Sequence, residues 1–209
     1  MNLYVQYGCG WSAPTTWRNF DASPTLRLEK IPALGRLYTK NAKRFPSNVE
    51  YGDIVKGLPL DQNSCDAIFA SHVLEHLALD DFRVALLHTF SLLKHGGVFR
   101  MIVPDLRAIA GEFLNSNDPL AAHGFMRDTY LGVEVRPRGG AGLIKSWLGN
   151  SSHLWMWDYN SLQHELKNAG FVGIRRCAFG DSPDPLFQDV EDSGRFVNAV
   201  AVECFKPCV

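Results

Sequence analysis

The sequence predicts an α/β protein: a mostly parallel seven-stranded sheet flanked by helices, with a helical insertion after the fifth strand. Three observations lead there. Short apolar runs alternate with helix-period stretches across short joints, the pattern of a parallel sheet covered on both faces. The first three runs each stop at glycine or aspartate, and ligands of such sheets bind at the carboxyl ends of the strands. The alternation breaks once, from Asp105 to Ser152, over a stretch too long for a simple connection.

Leu3 to Tyr7 reads as the first strand, ended by Gly8-Cys9-Gly10, and Trp17 to Phe20 as the second, ended by Asp21. Ser23-Pro24 then starts a helix, serine capping free N–H groups and proline preset for the first helical position. Asn48 to Tyr51 is a third strand stopping at Gly52-Asp53, and Ala67 to Ala70 a buried fourth. Leu79, Phe82, Leu86, Phe90 and Leu93 recur at helical spacing, with Gly96-Gly97 expected to stop the helix before a fifth strand from Val98 to Val103. The insertion holds helical pieces (Leu106, Ile109, Phe113; Leu120 to Tyr130) and the loop Arg136-Pro137-Arg138-Gly139-Gly140; Trp147, Trp155 and Trp157 are expected to pack it. Asp158 caps a last helix that ends at Gly170, and Val172 to Phe179 and Phe196 to Phe205 are the final strands, joined by an acidic loop.

With 209 residues, the chain is expected to form one domain, 1–209, with residues 105–152 covering the active face. The 21 basic and 22 acidic side chains nearly balance, so no global field draws nucleic acid or an anionic membrane. No apolar run is long enough to span a bilayer and no cleavable leader is evident, so a cytoplasmic location is the default. The five cysteines are scattered without a C-x-x-C pair, which argues for free thiols rather than disulfides, a zinc ribbon or an iron–sulfur cluster.

Gly8 and Gly10 let the chain turn sharply and a nucleotide approach the backbone. Asp21, at the next strand end, can accept hydrogen bonds from both ribose hydroxyls of an adenosine, and Asp53 can meet an adenine amino group. Each residue alone is equally a turn or capping residue; three at successive strand ends favour a ligand.

Gly8-Cys9-Gly10, Asp21, Gly52-Asp53-Ile54, Leu58-Pro59-Leu60 with Cys65-Asp66, Ser71-His72-Val73-Leu74-Glu75-His76-Leu77 and Leu93-Lys94-His95-Gly96-Gly97 resemble, in order, the motifs of class I S-adenosylmethionine (SAM)-dependent methyltransferases, most closely the type 11 group. Trp157, Leu162, Leu166 and Gly170-Phe171 are similar to that family's last helix. The resemblance implies a Rossmann-like fold and SAM as cofactor. It places Gly8 and Gly10 beside the methionine part, Asp21 on the ribose, Asp53 and Ile54 around the adenine, Ser71 and His72 under the sulfonium, and makes Glu75 and His76 structural. Two departures stand out: Gln6 replaces the family's acidic residue two before the first glycine, and Trp11-Ser12 replaces the third glycine. Ten residues between Gly10 and Asp21 are too few for a crossover helix plus a strand, so a loop is expected there.

Two rival readings attach to the same residues. Gly8 to Ala13 fits the dinucleotide pattern G-x-G-x-x-A, which needs a following helix and an acid about twenty residues on; Asp21 comes too early. His72 to Glu75-His76 fits H-x-x-E-H, in which two histidines on one helical face hold zinc; the expectation is nonetheless no metal. A non-catalytic SAM-binding module of the same fold is a further alternative. The acceptor is expected to be a small molecule, with Arg136 and Arg138 able to clamp an anionic group on it. For a hydroxyl acceptor His153, then His123, are the candidate bases. Acceptor identity and oligomeric state are not encoded in any motif.

Overall fold

The computed structural model of the chain describes residues 2–31, 44–135 and 152–208. Strands β1 (Tyr4–Tyr7), β2 (Arg18–Asp21), β3 (Val49–Tyr51), β4 (Cys65–Ser71), β5 (Leu93–Pro104), β6 (Val172–Arg176) and β7 (Ala199–Phe205) form one sheet in the order β3-β2-β1-β4-β5-β7-β6. Strands β1 to β5 pair in parallel and β7 runs antiparallel to both β5 and β6. The order reverses between β1 and β4, where a parallel sheet opens a crevice at its carboxyl edge.

The described helices are α1 (Pro24–Glu29), α2 (Leu79–Leu92), α3 (Leu106–Asn115), α4 (Ala121–Asp128) and α5 (Tyr159–Asn168). Their starts follow the capping residues: Ser23 Oγ accepts from Thr25 N, Asp105 from Arg107 N, and Asp158 forms a capping box with Ser161. Val5 and Tyr7 of β1 point into the main core with Phe82 and Leu86 of α2 and Leu162 and Leu166 of α5. Trp157 lies in this core against Phe82, ring centroids 4.1 Å apart, and not in the insertion as the sequence suggested; Trp155 stays exposed, and Trp147 lies outside the described residues.

Helix α2 stops at Leu92, four residues before Gly96, and β5 begins at once. The cause lies far along the chain. The buried ammonium of Lys206 donates to the carbonyls of Phe90 and Leu93 and to Asn63 Oδ1, satisfying groups that a further helical turn would have used. Gly96 N then bonds Lys206 O, and Lys206 N bonds Gly97 O.

Residues 8–17, between β1 and β2, contain no helix. The sheet face above them is closed instead by Trp17, which packs edge-on against Phe69 and Phe187 and donates its Nε1–H to Leu186 O. Phe187 belongs to a 3-10 turn, Pro185–Asp189, tied down by Tyr4 to Asp184 and Thr16 to Asp189. Gln6 explains how a bare loop is held: its amide donates to Ser12 O and Asn19 Oδ1, while Asn19 donates to Pro14 O and Trp17 O. An acid at position 6 could accept but not donate these bonds.

Arg100, fully buried inside the apolar strand β5, pairs with Asp181, Glu191 and Glu203, and Arg175 pairs with Asp181 and Glu203. Partial burial raises the Asp181 carboxyl, but the Arg175 and Arg100 guanidiniums and the Ala178 N–H outweigh it and hold it at about 2. That value lies below the unfolded 3.8, so its contribution is present above about pH 4 and is lost as pH falls toward 2. Asp181→Asn should therefore flatten the acid limb of stability over that window, read as urea midpoints from pH 4 down to 2. An identical limb in the variant would mean that Asp181 titrates alike in both states. No helix among the described residues is long and apolar enough to cross a membrane.

Candidate active site

Two cavities meet at the carboxyl edge of the sheet. The first, about 320 Å³, lies over β1, β2 and β3 and is lined by Tyr7, Gly8, Asp21, Gly52, Asp53, Ile54, His72 and Val73, among others. The second, about 580 Å³, lies over β4, β5 and β7, with Glu75, Ile109, Asp128, Tyr130, His153, Arg195 and Asn198 in its wall. His72 and His76 line both.

The first cavity is built by close approach. Gly8, at φ +64°, sits so near Val73 that a Cβ would lie 2.1 Å from its Cγ2, and a Cβ on Gly52 would lie 2.6 Å from the Phe20 ring. Asp21 is buried, and both its oxygens already hold backbone: Oδ2 accepts from Gly10 N at 2.9 Å and Oδ1 from Ser23 N at 2.8 Å. Each oxygen retains acceptor capacity, and Asp21 lines the cavity. The Asp21 side chain thus fixes the glycine turn relative to the start of α1. Asp53 accepts from Val55 N and pairs with exposed Lys56. Cys9 lies beside this turn, where burial first and the Asp21 charge second push its thiol to about 12, so it carries no thiolate at neutral pH.

Of the residues picked out by sequence, Gly8, Asp21, Asp53, Ile54 and His72 share this cavity. Gly10 contributes its N–H to Asp21 but is not in the wall. Ser71 is also outside the wall; its Oγ is buried without a hydrogen-bond partner and its carbonyl accepts from Arg195. His153 lies in the second cavity, 7% exposed, and burial lowers its pKa against the opposing Glu75 charge. His123 lines a separate surface recess with Met126 and Arg127, away from both cavities, which removes it as a base. Arg136 and Arg138 lie outside the described residues.

The second cavity concentrates backbone strain. Four non-glycine residues among those described adopt positive φ, and three of them, His72 (53°), Tyr130 (52°) and Asn198 (51°), line it. Such conformations cost about 1–3 kcal/mol each and gather at binding sites because the surrounding structure enforces them. His72 is fixed by its own N–H to Ile102 O and by its ring Nε2 at 2.9 Å from Arg195 O. Tyr130, Arg195 and Asn198 were not singled out in the sequence: Tyr130 ends a helical piece of the insertion, Arg195 follows the acidic loop and Asn198 falls within the last expected strand.

The local backbone also disposes of both rival patterns. No helix follows Gly8 to Ala13, so the dinucleotide fingerprint lacks the helix N-terminus that would take the pyrophosphate. His72 is left-handed and only Leu74–His76 forms a 3-10 turn, so His72 and His76 do not share the α-helical face that H-x-x-E-H requires.

Residues 5–101 match the family described as "Methyltransferase domain", of the type 11 group. No curated protein matches the sequence. Similar folds occur among solved structures. A SAM-dependent methyltransferase from Thermotoga maritima has a TM-score of 0.54 at 14% identity, covering 99% of this chain and 83% of that one. A SAM-dependent methyltransferase from Archaeoglobus fulgidus gives 0.53 at 13%, covering 98% and 86%. PigF with SAH gives 0.51 at 14%, covering 98% and 50%. With the strand order, the glycine turn at the end of β1 and the carboxylates at the ends of β2 and β3 in place, residues 5–101 are a methyltransferase domain of the class I, type 11-like group, and the seven-stranded sheet that continues it is the Rossmann-like class I fold.

Proposed function

We propose that the chain binds SAM in the cavity over β1, β2 and β3 and transfers its methyl group, by in-line displacement, to a small-molecule acceptor held in the adjoining cavity. The observation that carries this reading is that the two cavities share His72 and His76, so ligands in each would meet at one wall. In-line transfer from a sulfonium needs alignment of nucleophile, methyl carbon and sulfur more than acid–base machinery. Gly8 and the Gly10 turn would take the methionine part, Asp21 the ribose hydroxyls and Asp53 with Ile54 the adenine, while His72, with Ser71 behind it in the chain, would border the sulfonium. The acceptor side, with Ile109, Asp128 and Tyr130 from the insertion, is of the size that small molecules occupy. Arg136 and Arg138 are proposed as clamps for an anionic group on that acceptor.

Asp21→Ala tests the cofactor half. It removes the ribose acceptor together with the ties to Gly10 and Ser23, and hydrogen bonds to a charged group contribute about 1.5–3 kcal/mol. The expected result is S-adenosylhomocysteine binding weakened roughly 10- to 150-fold by calorimetry. Unchanged affinity in a folded variant would take Asp21 out of the site, and tight nicotinamide binding with no heat from S-adenosylhomocysteine would end the methyltransferase reading.

A further inference from the structure

Glu75 is the least expected residue of the acceptor cavity. Its carboxylate is 1% exposed, and neither oxygen has a hydrogen-bond partner. A buried carboxylate without partners costs several kcal/mol unless a cation compensates it. What surrounds it is imidazole: His72 Nδ1 at 3.5 Å, His153 Nε2 at 3.9 Å and His76 Nε2 at 4.0 Å from Oε1. His153 is itself buried, and its Nδ1 is a second polar atom left without a hydrogen bond. One donor atom each from Glu75, His76 and His153 lies within 4.8 Å of the others.

We propose that Glu75, His76 and His153 bind a divalent transition metal of the zinc type at the acceptor side of the cavity. Two imidazoles and one carboxylate with a position left open are the donor set such ions take in catalytic sites. The ring of His76 is oriented for it: Nδ1 lies 3.0 Å from Ser152 O, so the hydrogen is on Nδ1, and Nε2, 4.0 Å from Glu75 Oε1, carries the free lone pair. That is the outer-shell arrangement of metal-bound histidine. His72 does not belong to the set: its Nδ1 lies 3.5 Å from Glu75 Oε1, but among the described residues only Glu75, His76 and His153 bring one donor atom each within 4.8 Å of both the others. The site therefore differs from the H-x-x-E-H reading, in which His72 ligates and the glutamate is a base.

The role of the ion rests on the methyltransferase reading. Glu75, His76 and His153 all line the acceptor cavity, so an acceptor hydroxyl that reached an ion held there would be acidified as metal-bound water is. Its proton passes to solvent, an oxygen lone pair forms the bond to the methyl carbon, and the carbon–sulfur pair leaves with neutral S-adenosylhomocysteine. His153 then serves as ligand and not as base.

The test uses the untagged full chain, stripped with chelator and titrated with Co²⁺ alone. One equivalent with visible d–d bands, displaced by Zn²⁺, and a melting temperature raised by Zn²⁺ are expected. Glu75→Gln and His153→Ala should each weaken Co²⁺ binding by about 100-fold or more, while His72→Asn stays within a few-fold of wild type. Cooperative thermal melts certify that the variants are folded. Wild type without stoichiometric Co²⁺, or binding that Glu75→Gln and His153→Ala leave unaltered, overturns the site. So does binding lost only with His72. Stoichiometric Co²⁺ with no S-adenosylhomocysteine binding would uphold the metal site and end the methyltransferase reading.

Discussion

Replacing Gly8 by alanine is expected to lower stability by about 2–5 kcal/mol and to reduce S-adenosylhomocysteine affinity by at least about tenfold. Two costs coincide at this position. A side chain at φ +64° occupies the left-handed region, which disfavours L residues by about 1–2 kcal/mol. The new methyl group would also lie 2.1 Å from Val73 Cγ2 and 2.9 Å from Cγ1, a branched side chain that cannot swing away as a long one would, and overpacking of this kind costs about 1–3 kcal/mol. Relief by backbone movement separates the glycine turn from the His72-Val73 turn, the two walls between which the cofactor is proposed to lie. Gly10→Ala provides the contrast, because φ is +55° there but nothing lies within 4 Å of the added Cβ. It should show the conformational cost alone. Val73→Ala in the Gly8→Ala background should recover part of the loss by removing the obstructing methyls. The measurements are thermal melts, in which about 2–4 °C corresponds to 1 kcal/mol for a chain of this size, and calorimetry with S-adenosylhomocysteine. Equal effects of the two alanines would mean that the Val73 contact has no energetic weight.

The difference between these two glycines illustrates what the sequence could reveal. That a G-x-G turn ends β1 was legible, because strand ends and turns are local; which glycine is pressed against a neighbour depends on Val73, in the turn after β4 and far along the chain. Ser23, Asp105 and Asp158 cap their helices as local chemistry dictates, and the short link to Asp21 correctly implied a loop. The end of α2 was misplaced because partners distant in the chain take its final carbonyls, Lys206 that of Phe90 and the Asn63 and Ser64 N–H groups those of Ser91 and Leu92. Trp157 was assigned to the insertion because it follows that segment in sequence, yet the sheet draws it into the main core. The first cavity was legible in part: Gly8, Asp21, Asp53, Ile54 and His72, at or just past strand ends, line it, while Gly10 and Ser71 do not. Of the acceptor side only His153 was singled out: Tyr130, Arg195 and Asn198 converge on it from separate segments, and a positive φ at a tyrosine or histidine leaves no mark on composition or periodicity. Glu75 and His76 read as structural when taken alone, since only the fold brings His153 against them.

Arg100→Met should cost about 3–5 kcal/mol, enough to lower the melting temperature by roughly 6–20 °C. The guanidinium is fully buried and divides its donors among Glu191, Glu203, Asp181 and the Ala178 carbonyl. Methionine matches the surrounding apolar strand, but it leaves Glu191 and Glu203, themselves shielded from water, without their central cation. Arg175 retains part of the network through Glu203 and Asp181, so Glu191 bears most of the loss; its other oxygen holds only Gly180 N. Adding Glu191→Met to Arg100→Met should accordingly restore a substantial part of the stability, since the uncompensated charge is removed along with the cation. Arg175→Met, at a partly exposed guanidinium, should cost about 1 kcal/mol or less. The consequence reaches the acceptor cavity through the chain itself. Glu191 anchors the segment that leads within a few residues to Arg195, whose side chain holds Ser71 O and whose carbonyl holds the His72 ring. Loosening Glu191 should therefore free the cavity wall formed by Gly194, Arg195, Val197 and Asn198 before the sheet unfolds. Hydrogen exchange would register this as faster exchange over residues 180–198 in Arg100→Met, with β1 and β4 still protected. Uniform acceleration across the sheet would mean that Arg100 supports the whole fold and not this wall, and a denaturation midpoint within about 1 kcal/mol of wild type would remove the buried network as a source of stability.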